Sequence, residues 1–172
     1  MATMSRDPNT KKPIDRIIDG CGWLICFSLL GGLVFGIALH LTRPTIRVFI
    51  GNTLVTLEVA TTRSAQLKGL SRRTIRHLKK GGMFFPVNPP QIVSIWMKDV
   101  EAPLDVVFMR QGRVIQVLEQ VPPCQANSPC VPIASPEKVD GVIEVLGGTT
   151  QKAGLTKGMR LDLPAGEKIS PQ

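Results

Sequence analysis

The sequence predicts a mainly β fold. It is a single compact sandwich or barrel-like β domain with one or two short helices, preceded by one N-terminal transmembrane helix. Three observations predict it. From residue 43 onward, short β-branched runs alternate with Gly and Pro turns, a pattern of sheets rather than of packed helices. The stretch Gly20–Leu41 runs 22 residues without Asp, Glu, Lys or Arg. No other run of that length occurs in the 172 residues, which argues against a multispan protein.

Residues 1–19 form a polar tail. As a helix, residues 20–41 rise about 33 Å, against about 30 Å of bilayer hydrocarbon. Trp23 at one end and His40 with Arg43 at the other suit the two interfaces. Arg6, Lys11, Lys12 and Arg16 flank one side, and only Arg43 and Arg47 the other. That bias predicts a cytoplasmic N-terminus and an extracytoplasmic domain, residues 43–165, in a periplasm or lumen. The rival is a signal peptide cleaved after Ala38, but the apolar run exceeds the usual h-region of about 7–15 residues. Both alternatives export the same domain. Gly32 and Gly36 have the spacing that lets two membrane helices approach closely, and the oligomeric state stays open.

Within the exported part, Thr45–Ile50 and Leu54–Ala60 read as strands joined by the hairpin signal Gly51-Asn52. Residues 62–80 lack alternation and predict a short helix, capped by Thr61 or Thr62 and ended by Gly81-Gly82. Further strands are predicted at Ile92–Met97, Leu104–Met109, Arg113–Gln120, Val139–Leu146 and Met159–Leu163, before a C-terminal tail at 166–172. Cys124 and Cys130, in the Pro-rich PPCQANSPCVP, predict a structural disulfide in an oxidising compartment. Their spacing excludes a CxxC redox motif. Closing this loop stabilises by about 2 kcal/mol in the chain-entropy model. Cys21 and Cys26 fall in the membrane segment, where they read as small apolar residues.

The net charge of +8 invites a nucleic-acid reading. Its distribution removes that reading. The residues before 43 carry a net +1, and the remaining +7 equals one acid-free cluster: Arg63, Lys68, Arg72, Arg73, Arg76, Lys79 and Lys80. The cluster lies on an exported domain and no aromatic residue interleaves it, so bases have no stacking platform. It is either a solvated face or a contact for anionic lipid, a glycan or an acidic protein partner.

No metal or cofactor is predicted. His40 and His77 have no second His at ligand spacing, and the cations around His77 disfavour the imidazolium a catalytic base must form. The acids are more informative. Asp105 in LDVVFM and Glu144 in VIEVL each sit alone in an apolar strand. Trp96 and Lys98 lie close to Asp105 in sequence. These four residues are either a structural polar cluster or the lining of a small pocket for a sugar or peptide.

Several ordered blocks carry a family resemblance. They are LEVATT at Leu57–Thr62, LKGLSRR at Leu67–Arg73, GGMFF at Gly81–Phe85, SIWMKDVEAPLDVVFM at Ser94–Met109, Gly112–Ile115, and VIEVLGGTTQKAGLTKGMRL at Val142–Leu161. Together, over residues 46–163, they resemble the DUF192 (UPF0127) family of uncharacterised proteins. The sequence departs from the family pattern at Lys68 for Arg, Ser71 for Met, Asp99 for Asn, Leu146-Gly147 for Pro-Ala and Met159 for Asp. The resemblance implies a compact, mainly β domain, often exported or membrane-anchored, and no established activity. Trp96, Lys98, Asp105 and Glu144 match polar positions of the family and are the candidate ligand-binding residues.

Two functional readings follow. The first is a membrane-anchored, non-enzymatic extracytoplasmic binding or accessory domain. The alternative is an exported hydrolase or sugar-modifying enzyme with Asp105 and Glu144 as an acid/base pair, which needs the carboxyls about 5–9.5 Å apart.

Overall fold

The computed structural model describes residues 43–163 apart from Ala126. The predicted membrane segment, its flanking tail, its Gly32/Gly36 pair and the C-terminal tail lie outside the described residues. The fold begins with a hairpin, β1 (Thr45–Ile50) and β2 (Thr53–Val59), closed by Gly51-Asn52 as expected. Gly51 has φ +57°, and a Cβ there would collide with the carbonyl of Ala153, so this turn admits only glycine. Alternation sends Val55, Leu57 and Val59 into the core and leaves Glu58 on the other face.

The region predicted as one helix forms two short ones, α1 (Arg63–Lys68) and α2 (Ile75–Leu78). Thr62 caps α1 by accepting a hydrogen bond from the Ala65 N–H, and Thr74 caps α2 in the same way through His77. Gly69, at φ +48°, ends α1. The chain then enters β3 (Gly82–Gln91), a long strand that the sequence pattern does not predict. Gly82 lies between β2 and its next neighbour, where a Cβ would meet the carbonyl oxygen of Glu144.

After β3 come β4 (Ser94–Ile95), β5 (Leu104–Arg110), β6 (Arg113–Val121), β7 (Ile133–Ala134), β8 (Val139–Leu146) and α3 (Thr149–Ala153). The main sheet has the order β1-β2-β3-β8-β5-β6, with only the β2–β3 pair parallel. The mainly β prediction holds. Among the described residues the sheet does not close into a barrel: β1 and β6 are its two end strands, and β4–β7 is a separate pair of two-residue strands. Two other expectations are corrected. Ile92–Met97 contributes only β4, and Met159–Leu163 forms no strand beyond a single bridge between Arg160 and Arg113.

Each face of the main sheet covers its own core. Val48, Leu57, Phe84, Val107, Ile143 and Val145 lie on one side, with Leu155 and Leu161 packed over them. Leu70, Leu78, Met83, Leu104, Phe108 and Val142 lie on the other. The predicted disulfide Cys124–Cys130 is formed. Its loop is tied to the chain after β4 by the Cys124 N–H donating to the Met97 carbonyl.

Asp105 is fully buried on the Leu57 side. Gly148 precedes α3 and has no side chain to cap it, so Asp105 reaches across from β5 to do so. Its carboxylate accepts from the Gly148 N–H at 3.0 Å, the Thr150 N–H at 2.8 Å and the Thr150 hydroxyl at 2.9 Å. A fourth bond, at 2.8 Å, comes from the Gln120 N–H in the β5–β6 bulge. Asp105→Ala leaves the buried Thr150 N–H without this acceptor, at about 1–3 kcal/mol, and the part-buried Gln120 and Gly148 N–H groups at less each. Urea unfolding of the purified protein should therefore show a loss of roughly 3 kcal/mol or more, and Asp105→Asn, which keeps one acceptor oxygen, a smaller loss.

Candidate functional site

Glu144 sits on β8 one residue from the strand position paired with Asp105. The register pairs Asp105 with Val145 and Val106 with Glu144. Cross-strand partners share a face, so Glu144 points to the side opposite Asp105. The two carboxyls therefore cannot act as an acid/base pair across one substrate, which removes the hydrolase reading built on them. Asp105 is a structural residue.

Glu144 faces a cavity of about 620 Å³. Its floor is Phe85, Val142 and Glu144, adjacent positions on β3 and β8. One wall is the end of α1 and its following turn, from Gln66 to Ser71. The other is the chain from Asn88 through β4 to Val100. The sequence fixes these walls by local chemistry. Gln66 donates to the carbonyls of Ala60 and Pro86, holding α1 against β3. The Arg72 N–H donates to the Asp99 carbonyl at 2.7 Å, and the Ile75 N–H to the Glu101 carboxylate at 2.9 Å. Together these two bonds join the walls at one end. Asp99 has φ +56°, a conformation its short polar side chain tolerates.

Glu144 is 8 % exposed, and its strand and cross-strand neighbours Val142, Met83 and Val106 are all apolar. Among the described residues nothing hydrogen-bonds or pairs with its carboxyl. Burial alone pushes it up from the ordinary 4.5 to about 7. At neutral pH it is poised to donate or accept a hydrogen bond.

Of the other candidates, Trp96 and Lys98 line the same cavity, with Trp96 63 % exposed at its mouth. The structure thus brings together Trp96, Lys98 and Glu144 and leaves out Asp105. Lys68 also lines the cavity. Arg63, Arg72, Arg76, Lys79 and Lys80 are exposed. Arg73 departs from the predicted basic surface. It turns inward onto Glu58 at 2.7 Å, joined there by His77 at 2.8 Å and Arg43 at 3.1 Å. Burial raises the Glu58 carboxyl, but Arg73, with His77 and Arg43, outweighs it and holds the group below its usual value. Sequence reasoning missed this cluster. Its only signal was an acid on the outward face of β2, with the basic run following.

With this geometry in hand, comparison with known proteins places the chain. A profile of the DUF192 family, described as "Uncharacterized ACR", matches residues 46–163. The chain belongs to the DUF192 family. No curated protein matches it. Two crystal structures are similar to this DUF192 domain. One is a protein of unknown function from Novosphingobium aromaticivorans, 27 % identical, covering 69 % of this chain and 85 % of that one, with a TM-score of 0.59. The other is a putative transcription regulator from Sinorhizobium meliloti, 29 % identical, covering 71 % and 95 %, with a TM-score of 0.62.

The Glu144 environment has a thermodynamic signature. Its raised pKa means that the native state keeps a proton which the unfolded chain loses above pH 4.5. Stability therefore falls as pH rises from about 4.5 to about 7, by about 3 kcal/mol from this group, and levels off above. Glu144→Gln should abolish that slope. Urea midpoints at pH 5 and pH 8 check it: the variant should gain on the wild type only at the higher pH.

Proposed function

We propose that this DUF192 protein is a non-enzymatic binding or accessory domain, tethered to a membrane by residues 20–41 and facing the periplasm or a lumen. The observation that carries the binding reading is a small-molecule-sized cavity with a buried, unpartnered carboxyl on its floor. Its volume lies within the range of about 300–1,000 Å³ common for ligand sites. Burying a carboxyl without a partner is destabilising, and a ligand supplying a donor relieves that penalty. The exposed indole of Trp96 at the mouth supports the same reading, since it adds apolar contact area where a ligand enters. A catalytic reading lacks its second group, because Asp105 is occupied on the far face of the sheet.

The tether rests on the uncharged 22-residue run and its flanking charges. The Cys124–Cys130 disulfide supports an oxidising compartment. The exposed cations from Arg63 to Lys80 suit an anionic lipid, a glycan or an acidic partner near that membrane. The description of the Sinorhizobium protein as a putative transcription regulator gains no support here. The longest helix among the described residues has six residues, short for a helix that reads a groove.

Two experiments test the proposal. A thermal-shift screen of small polar compounds should find ligands that raise the melting temperature of the purified protein, as preferential binding to the native state must. Trp96→Ala and Glu144→Leu should each remove the shift, and equal shifts in both variants would move the site elsewhere. For topology, alkaline phosphatase fused after residue 60 should be active, and an inactive fusion would reverse the compartment.

A further inference from the structure

The chemistry of the Glu144 cavity narrows the ligand class, resting on the binding reading above. Asp105 and Glu58 have protein donors on both carboxyl oxygens. Neither offers anything to a ligand. Glu144 is different: it is more than nine-tenths buried, aimed into the cavity, and without a partner among the described residues. It needs a ligand with hydrogen-bond donors, and two neighbouring hydroxyls match the two oxygens of one carboxyl.

The walls carry the matching chemistry. Ser71, Asn88, Gln91 and Ser94 line the cavity, and each is a neutral group that both donates and accepts, as a hydroxyl does. Gln66, whose amide N–H groups are held by Ala60 and Pro86, adds an acceptor. Phe85 on the floor and Trp96 at the mouth present flat apolar surfaces. Those suit the C–H faces of a sugar ring better than a fully polar solute.

Charge adds a further constraint. Lys68 and Lys98 come from opposite walls, and both are exposed. The other carboxylate in the lining, Asp99, already lies 3.9 Å from Arg72. A free ligand thus meets, at the mouth, positive charge that has no partner among the described residues, and an acid at the floor. Lysine ammonium is a point charge without a fixed fork, so it serves a carboxylate or a phosphate equally.

The geometry points to an acidic saccharide as the ligand, with its ring between Trp96 and Phe85, its hydroxyls toward Glu144, and its carboxylate or phosphate toward Lys68 and Lys98.

The test uses the full chain in detergent micelles and ligand-observed saturation-transfer NMR. The probes are glucuronic acid, glucose 6-phosphate, glucose and inorganic phosphate. Both acidic sugars should bind about tenfold more tightly than glucose, one good charge contact at the mouth. The comparison between them tells carboxylate from phosphate recognition. Inorganic phosphate alone should show no competition. At about 1 M salt, where the Debye length falls to about 3 Å, the acidic advantage should shrink toward the glucose value. Lys68→Ala with Lys98→Ala should do the same. Glu144→Gln, with its fold checked by circular dichroism, should weaken all three sugars.

Glucose binding as tightly as the acids would overturn the charge assignment. Absence of any sugar binding would overturn the saccharide class. In that second case the thermal-shift screen separates two failures. Ligands lost in Glu144→Leu would leave the cavity as a binding site for another class, and no ligands at all would remove the binding reading as well.

Discussion

The hydrogen bonds to Asp105 tie together segments that strand pairing alone does not join. One buried carboxylate joins the β5–β6 bulge to the start of α3, and so connects chain segments 15 and 45 residues apart. It solves two local problems at once. A helix that starts at a glycine lacks a side-chain cap, and a bulge leaves a backbone N–H without a ladder partner. Both sets of orphan donors converge on the same two oxygens. The end of β8 is thereby fixed against β5, and with it the position of Glu144.

The same strand pair therefore carries two carboxylates of opposite character. Asp105 faces the side where α3 supplies donors. Glu144, on the next register step, faces the other side, where its strand and cross-strand neighbours are Val142, Met83 and Val106. Period-two alternation makes the division: adjacent register positions belong to different faces. The β4–β7 pair and the disulfide loop then brace the wall that carries Trp96. Rigid elements thus surround a buried carboxyl that has no donor among the described residues.

Much of this was legible in the sequence, for physical reasons. β1 and β8 have the predicted limits because β-branched alternation and the Gly51-Asn52 turn act locally. The Thr62 cap and the Cys124–Cys130 pair are also local. What was not legible depends on register and on distant neighbours. β3 contains Pro86, Pro89 and Pro90, which argue against a central strand. It is nonetheless a strand because β2 pairs only with Gly82–Phe84, so the prolines fall where that side of β3 has no ladder to break. Asp105 and Glu144 look alike in sequence, each a lone acid in an apolar run. Only the pairing of Asp105 with Val145 and of Val106 with Glu144 separates them. Arg73 looked like one more surface cation, and Glu58, 15 residues earlier, draws it in.

Among the described residues β1 is an open edge of the sheet, with a consequence for how these molecules behave toward one another. A free strand edge is a template for a second chain, and this one is rich in β-branched residues. On its outer face Phe49 and Leu54 are cross-strand partners, both exposed, which adds an apolar patch beside the unpaired backbone. Arg47 interrupts the strand with a charge, as a gatekeeper does, while Arg43 is drawn onto Glu58. Colloidal stability in concentrated solution thus leans on Arg47. Neutralising it leaves a short, sticky β-edge, and ordered aggregation should begin there rather than at the better-covered β6.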